Sequence, residues 1–331
     1  MDDFVFLGSV TLGKLDAMRQ PRFDILHEVL TAPIEPAPWR SLDEFRPDLH
    51  RLLDTAAHPI DAAIRGGFRS DVLAGAFVAG YQSALQSLFP DLPRDRIVSL
   101  CVTEQGGGHP RAILTRLEKG ASGTYTLTGD KRWSTLSNQA GLLLVVAREA
   151  EDPATNRAVF RVVRVAADAP GVSIVPMPET PFVPEIRHAE VSLRGVVVHE
   201  TGLLPGDGYE LYVKPFRTVE DIHVHAAGAG YLMRLSRRYN LDKPLMERLV
   251  HVISSLTTLA AADPKDPVTH IVLAGVLEQS RLALQDFDSA LAAAAPDVHA
   301  KFMLDKPIFS IAARVRAERT TKAWERLSKL A

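Results

Sequence analysis

The run from residue 102 to residue 109 follows a short apolar stretch and contains three consecutive glycines, 106–108. Glycine has no Cβ, so its amide groups can approach a ligand closely and form a concave anion-binding surface. Neither common nucleotide-binding fingerprint fits, because no Lys-Ser or Lys-Thr follows and no opening helix with a downstream acid is evident. The run therefore predicts either a backbone-lined ligand site or an ordinary glycine-rich connection.

A second candidate segment, residues 129–135, carries Trp133 and the two hydroxyl residues Ser134 and Thr135. We interpret Gly129-Asp130 as a turn that delivers these side chains ahead of the next apolar run. The alternative interpretation is a hairpin whose amphipathic tryptophan lies on the wall of a barrel.

The pattern along the chain indicates three regions that must position these segments. Helical and loop patterns extend to about residue 95, where the best helix signal is 70–89 with apolar residues at spacings of three and four. Six short β-rich runs follow without a helical pattern between them, which favours a small antiparallel barrel or sandwich. Four helices at 216–239, 243–261, 268–294 and 308–330 predict an antiparallel bundle. The predicted fold is α+β, with domains at 1–95, 96–213 and 214–331.

Composition excludes several classes of protein. The 38 Lys and Arg against 40 Asp and Glu give a net charge of −2, which offers no basic surplus for nucleic acid. The single cysteine, Cys101, excludes an internal disulfide and a multi-cysteine metal site. His223 and His225 are two residues apart and cannot form the i, i+4 pair of a metal site on a helix, so no metal is predicted. The acidic start and the absence of an apolar run of about 18 residues predict a cytoplasmic protein without a signal peptide or membrane span.

Taken together, the two segments resemble the acyl-CoA dehydrogenase family. The motifs are Val-Thr-Glu-x-Gly-x-Gly from Val102 and Gly-x-Lys-x-Trp-x-Thr from Gly129, followed by an apolar run at 142–147. Residues 189–198 with the following Leu-Leu-Pro-Gly resemble the end of the family's barrel, and the small residues 226–230 resemble its first bundle helix. The resemblance covers about residues 96–240. It implies an N-terminal helical region, a small β-barrel and a four-helix bundle.

Members of this family use FAD to oxidise the Cα–Cβ bond of an acyl thioester. A carboxylate removes the α-proton while a hydride leaves Cβ for the flavin. The resemblance implies contacts with the flavin and its pyrophosphate from four loop residues: Val102, Thr103, Gly106 and Gly108. It also implies that Trp133 and Thr135 lie against the ring, with the Thr135 hydroxyl near the hydride-accepting nitrogen. His109 stands where the family usually has a serine that touches cofactor and substrate.

The resemblance places the catalytic base at Glu220, on the first bundle helix shortly before the small residues. The family's commoner base, in a Glu-Gly-Thr segment near the C-terminus, has no counterpart here. A glutamate in the first turn of a helix is also favoured by the helix dipole alone. The positions that usually hold an Asp and an Arg beside this base are Thr218 and Asp221.

We therefore expect a divergent, C-terminally shortened relative that catalyses FAD-dependent α,β-dehydrogenation of an acyl thioester, carried by coenzyme A or by an acyl carrier protein. Two alternatives stay open: a catalytically silent subunit that acts as a partner or binding module, and a flavin enzyme of the same fold with other chemistry. We expect a homo-oligomer or a hetero-oligomer with a relative.

Overall fold

The computed structural model describes residues 23–35, 41–151 and 157–329. Within these ranges four helices come first: α1 (Phe23–Thr31), α2 (Leu42–Thr55), α3 (Pro59–Phe68) and α4 (Leu73–Leu88). Seven strands follow: β1 (Val98–Cys101), β2 (Arg116–Lys119), β3 (Thr124–Thr135), β4 (Leu142–Glu151), β5 (Ala158–Ala166), β6 (Val172–Pro176) and β7 (His188–His199). Five further helices are α5 (Lys214–Arg238), α6 (Lys243–Leu259), α7 (Pro267–Ala294), α8 (Pro296–Asp305) and α9 (Ala313–Leu327). The order of helices, sheet and helices confirms the predicted α+β class.

The seven strands form one sheet in the order β1-β4-β2-β3-β7-β6, with β5 paired to the other side of β4. The pairs β2–β3, β3–β7, β4–β5 and β6–β7 are antiparallel, as predicted. The pairs β1–β4 and β2–β4 are parallel, which differs from the fully antiparallel expectation. The connection from β1 to β4 contains the whole β2–β3 hairpin, and a connection of that length lets the chain return in the same direction.

Alternation along the strands divides the apolar interior into two parts. On β4, Leu143 and Val145 belong to a core formed by side chains of the sheet alone. The intervening Leu144 and Val146 belong to the larger core that the sheet shares with the helices. Since successive strand residues point to opposite faces, both faces of this strand are covered.

The helices before and after the sheet pack against each other at close range. A Cβ placed on Gly67 in α3 would lie 1.8 Å from the carbonyl oxygen of Ala227 in α5. The N-terminal helices can therefore approach the small-residue stretch of α5 only because this position has no side chain.

Two local predictions are wrong. The expected turn at Gly129-Asp130 lies inside β3, where the pairing with β7 shifts register between Leu127 and Gly129. A strand irregularity uses the same residue types as a turn, which explains the error. The single helix expected at 308–330 is a 3-10 segment followed by α9, and α8 is an additional helix. Proline begins α8 and lies inside the 3-10 segment, and proline interrupts a continuous helix because it lacks the amide donor.

No described helix combines the length and the apolar character needed to cross a membrane.

Candidate functional site

The glycine loop, residues 102–108, leaves the end of β1 and folds back on itself. The amide of Glu104 donates to the carbonyl of Gly107 (3.2 Å), and the amide of Gly107 donates to the carbonyl of Glu104 (2.9 Å). Within the described part of the chain, the amides of Gly106 and Gly108 have no hydrogen-bond partner in the protein. Two backbone donors of the loop are therefore free to bind an external acceptor.

A buried ion pair fastens this loop to β3. The Lys131 ammonium lies 2.7 Å from Oε1 of Glu104, and both side chains are almost fully buried. The same carboxylate accepts hydrogen bonds from the Thr115 hydroxyl at 2.7 Å and from the amides of Thr115 and Leu114 at 3.0 and 2.8 Å. Burial alone would raise the pKa of Glu104, but the ammonium and these donors hold it below its ordinary value.

The second predicted segment lies beside the first. The amide of Arg132 donates to the carbonyl of Thr103 at 2.7 Å. The next residue, Trp133, has a left-handed backbone with φ +56° and a ring that is 48% exposed. A left-handed tryptophan is held in place only by strong surrounding contacts, and such residues are concentrated at functional sites. The structure therefore brings together the two segments that the sequence singled out.

His188 on β7 contacts both predicted residues of the second segment. Its Nδ1 lies 3.4 Å from the Thr135 hydroxyl, and its ring meets the Trp133 ring edge-on at a centroid distance of 5.7 Å. Burial lowers the pKa of His188, which favours the neutral imidazole. His188 was not predicted from the sequence. Its position opposite Thr135 depends on the register of the β3–β7 pair, which the sequence alone does not give.

The other predicted loop residues lie around this centre. Val102 is half-buried, and its carbonyl accepts a hydrogen bond from Lys131 at 3.3 Å. His109 is exposed, and its Nδ1 accepts from the amide of Arg111 at 3.2 Å, which caps the short 3-10 turn Pro110–Ala112. In this arrangement His109 already has a local structural role.

Glu220 is half-buried in the second turn of α5. Within the described residues its carboxylate makes no hydrogen bond or ion pair. Burial and the charge of the neighbouring Asp221, opposed by Arg217, together raise the pKa of Glu220 to about 8. A carboxyl group with a pKa near neutrality is suited to removing a proton from a substrate at physiological pH.

Arg217 connects the helix to the glycine loop. It lies one turn before Glu220, and its Nη2 donates to the carbonyl of Gly108 at 3.3 Å. The next residue of α5, Asp221, forms ion pairs with Arg316 and Arg319 of α9. The charge of Asp221 is thus compensated by two arginines. Within the described residues, no arginine forms an ion pair with the neighbouring Glu220.

Part of the chain is similar in sequence to known proteins. Residues 99–196 match the family model of the acyl-CoA dehydrogenase middle domain. A relative from Dictyostelium discoideum, described as a probable short/branched chain specific acyl-CoA dehydrogenase, is 29% identical over 126 residues. The match spans 37% of this chain and 30% of the length of that relative.

Solved structures extend the likeness in fold to almost the whole chain. Butyryl-CoA dehydrogenase from Megasphaera elsdenii superposes with a TM-score of 0.66 at 14% identity, covering 96% of this chain and 100% of that chain. The FAD complex of PigA has the same TM-score of 0.66 at 12% identity, covering 97% and 99%.

Residues 99–196 are similar to the acyl-CoA dehydrogenase middle domain, and this similarity covers less than a third of the chain. The match in residues 99–196 includes the glycine loop and the strand that carries Trp133, and the helices on either side share the fold of the solved structures.

The residues at this site fit a flavin nucleotide. A Cβ on Gly108 would lie 3.5 Å from the Thr103 hydroxyl and 3.6 Å from Nη2 of Arg217, so the glycine leaves a small cradle between a hydroxyl and a cation. The free amides of Gly106 and Gly108 suit phosphate oxygens. The half-exposed ring of Trp133 offers a flat apolar surface to an aromatic ring.

Two features of the candidate site escaped prediction from the sequence. The Glu104–Lys131 pair had a signal, because the first motif contains Glu104 and the second contains Lys131, two side chains of opposite charge. The Arg217 contact had none, because a helix residue and a loop more than a hundred residues apart give no local pattern.

Proposed function

We propose that this protein is an FAD-dependent dehydrogenase that oxidises the Cα–Cβ bond of an acyl thioester, with Glu220 as the base. The observation that carries the proposal is the link between Glu220 and the glycine loop. A half-buried carboxyl with a pKa raised to about 8 lies one helical turn from Arg217, which is hydrogen-bonded to Gly108. A candidate base and a candidate cofactor loop are thus joined through a single side chain.

The glycine loop and β3 would hold the cofactor. The free amides of Gly106 and Gly108 would donate to its phosphates, and Arg217 would add a positive charge beside them. Trp133 and Thr135 would orient the ring system, and His188 would accept the hydrogen bond that turns the Thr135 hydroxyl. FAD, when bound, supplies the acceptor for the hydride that leaves Cβ.

Glu220 would remove the α-proton of the thioester. Its carboxylate form is required, so the fraction of competent protein rises as the pH rises through about 8. Burial away from water disfavours the charged carboxylate of Glu220. Uptake of the α-proton would therefore return Glu220 to the neutral form that burial favours.

The test is a visible absorption spectrum of the purified protein after addition of FAD, followed by a panel of acyl-CoA thioesters without oxygen. We expect a bound flavin spectrum that is bleached by at least one thioester. A protein that binds no FAD overturns the proposal. Bound flavin that no thioester reduces would favour the silent subunit instead.

A further inference from the structure

The strand that leads into the glycine loop lies at an edge of the sheet. Within the described residues, β1 pairs with β4 on one side and with no strand on the other. An edge strand presents a row of backbone groups that no neighbouring strand satisfies. The partners that these groups find elsewhere therefore decide how firmly the end of β1, and with it the start of the loop, is held.

Two buried side chains of α4 satisfy this edge. The side-chain amide of Gln82 pairs with Val98 as a strand would: its Nε2 donates to the Val98 carbonyl at 2.8 Å, and its Oε1 accepts from the Val98 amide at 3.0 Å. Further along β1, the hydroxyl of Tyr81 accepts from the amide of Leu100 at 3.0 Å. Leu100 stands two residues before Val102, where the glycine loop begins. The Tyr81 hydroxyl is thus the α4 contact nearest to the loop.

The same part of α4 is fixed against α5, which carries Glu220. A Cβ on Gly80 would lie 2.6 Å from the Cα of Val224, so the two helix backbones are in contact directly beside Tyr81. The Tyr81 ring meets the Phe216 ring of α5 edge-on, at a centroid distance of 5.9 Å. Because Phe216 precedes Glu220 by four residues, the two lie on the same face of α5.

The phenol of Tyr81 is also electrostatically close to Glu220. Burial raises the pKa of Tyr81, and the charge of Glu220 acts in the same direction. The hydroxyl therefore keeps its proton at physiological pH and remains a neutral acceptor for the Leu100 amide. One buried side chain contacts both the strand before the loop and the helical turn before the candidate base.

We propose that Tyr81 is a positioning residue that fixes the glycine loop relative to Glu220. Its hydroxyl holds the strand from which the loop leaves, and its ring packs on the turn that precedes Glu220. Tyr81 is buried, and its hydroxyl already accepts a backbone hydrogen bond, so it acts through these neighbours and not on a ligand. The meaning of the loop as a cofactor site rests on the proposed function, whereas the contacts of Tyr81 do not.

The first test is hydrogen exchange of the full chain without FAD. Tyr81→Phe keeps the ring and removes the hydroxyl, so the buried Leu100 amide loses its acceptor. We expect peptides that cover residues 100–108 to exchange about tenfold faster than in the wild type. The matched control is Tyr212→Phe, which removes a tyrosine hydroxyl that donates to the Pro205 carbonyl at 3.0 Å. The control should leave exchange of the loop unchanged.

The second test measures FAD affinity at a temperature where circular dichroism shows all variants to be fully folded. Tyr81→Phe should weaken FAD binding about tenfold, while Tyr212→Phe should stay within about twofold of the wild type. At saturating FAD, Tyr81→Phe should also lower the limiting rate of flavin reduction about tenfold, because the loop moves relative to Glu220. The thioester concentration that gives half of this rate should stay within about twofold, since Tyr81 does not touch the substrate.

The two tests separate positioning from general stability and from the proposed function. Loop exchange in Tyr81→Phe that matches the wild type, or that rises no more than exchange in α6, overturns the inference. Faster loop exchange with unchanged FAD affinity and rate overturns it too, because the contact then has no effect on the site. If loop exchange alone rises in Tyr81→Phe but the wild type binds no FAD, the positioning of the loop stands and the proposed function fails.

Discussion

The candidate site has a sheet side, formed by the glycine loop and β3, and a helix side, formed by α5. Glu104 lies on the sheet side and Glu220 on the helix side, and each is close in sequence to a stretch of small residues. On the sheet side, Glu104 is paired with Lys131 at 2.7 Å and accepts hydrogen bonds from Thr115 and Leu114. On the helix side, Glu220 has no such partner in the described part of the chain. Their pKa values consequently move in opposite directions, below the ordinary value for Glu104 and up to about 8 for Glu220.

This difference shows how surroundings assign roles to identical side chains. A carboxylate that is surrounded by donors stays ionised and serves as a fixed point for the loop. A carboxyl group in a site without donors is easily returned to its neutral form, which makes proton uptake favourable. We infer that Glu104 holds the site together and that Glu220 can act on a ligand.

The largest expected effect is on the rate of flavin reduction, which should depend on the carboxylate of Glu220. Glu220→Gln should lower the rate of flavin reduction by acyl thioester by about 10²–10⁴-fold, because the amide cannot accept the α-proton. FAD binding should be unchanged and the variant should be no less stable than the wild type, since Glu220 has no partner to lose. The measurement is stopped-flow absorbance under anaerobic conditions.

Glu220→Asp serves as the control, because it retains a carboxylate at a shorter reach and should recover part of the rate. A Glu220→Gln protein that reduces flavin at the wild-type rate would remove Glu220 from the mechanism and make the comparison one of stability alone.

The next effect concerns the sheet side. Lys131→Met leaves the Glu104 carboxylate buried without its cation, and breaking a buried pair in this way costs about 3–5 kcal/mol. We expect a loss of that order in the free energy of unfolding, measured by urea denaturation. The double variant E104Q/K131M should recover much of it, because no unpaired charge then remains. A single variant as stable as the wild type would show that the pair does not anchor the loop.

The sequence predicted the sheet side better than the helix side, for a physical reason. The glycine loop and Trp133 lie in short motifs whose residues act within a few positions of each other, and the structure brings these two segments into contact through Thr103 and Arg132. The continuous apolar run at 142–147 likewise predicted β4, because a strand that is covered on both faces has apolar residues at successive positions.

What the sequence left open depends on contacts between distant elements. Three contacts join residues 44 or more positions apart: the parallel β1–β4 pair, the contact of His188 with Thr135 and the contact of Arg217 with Gly108. Strand β2 has only four residues and a single buried side chain, Leu117, so no periodic pattern marks it. The pKa of Glu220 depends on burial by other helices, which the type of residue cannot reveal.

A smaller effect tests the opposite pKa shifts through the dependence of stability on pH. The raised pKa of Glu220 keeps its native carboxyl protonated between about 4.5 and 8, while the unfolded chain releases the proton. Stability should therefore fall as the pH rises through this range, and Glu220→Gln should flatten that slope. The depressed pKa of Glu104 has the opposite sign: its contribution is present above its ordinary pKa and is lost as the pH falls below it. Denaturation curves from pH 3 to 9 measure both, and equal slopes in wild type and Glu220→Gln would contradict the raised pKa.

The smallest expected effect lies at Arg217, where the two sides meet. Its guanidinium favours the charged form of Glu220, so Arg217→Met should raise the Glu220 pKa and move the pH midpoint of flavin reduction upward. Because Arg217 is exposed and solvent screens its charge, the shift should be only about half a pH unit. An acyl pantetheine without phosphate is the appropriate substrate, because it carries no negative charge that the Arg217 cation would attract. Arg217→Lys retains the charge and should leave the midpoint close to that of the wild type. A midpoint that stays in place or moves down in Arg217→Met would mean that the sheet side and the helix side are not electrostatically connected through this residue.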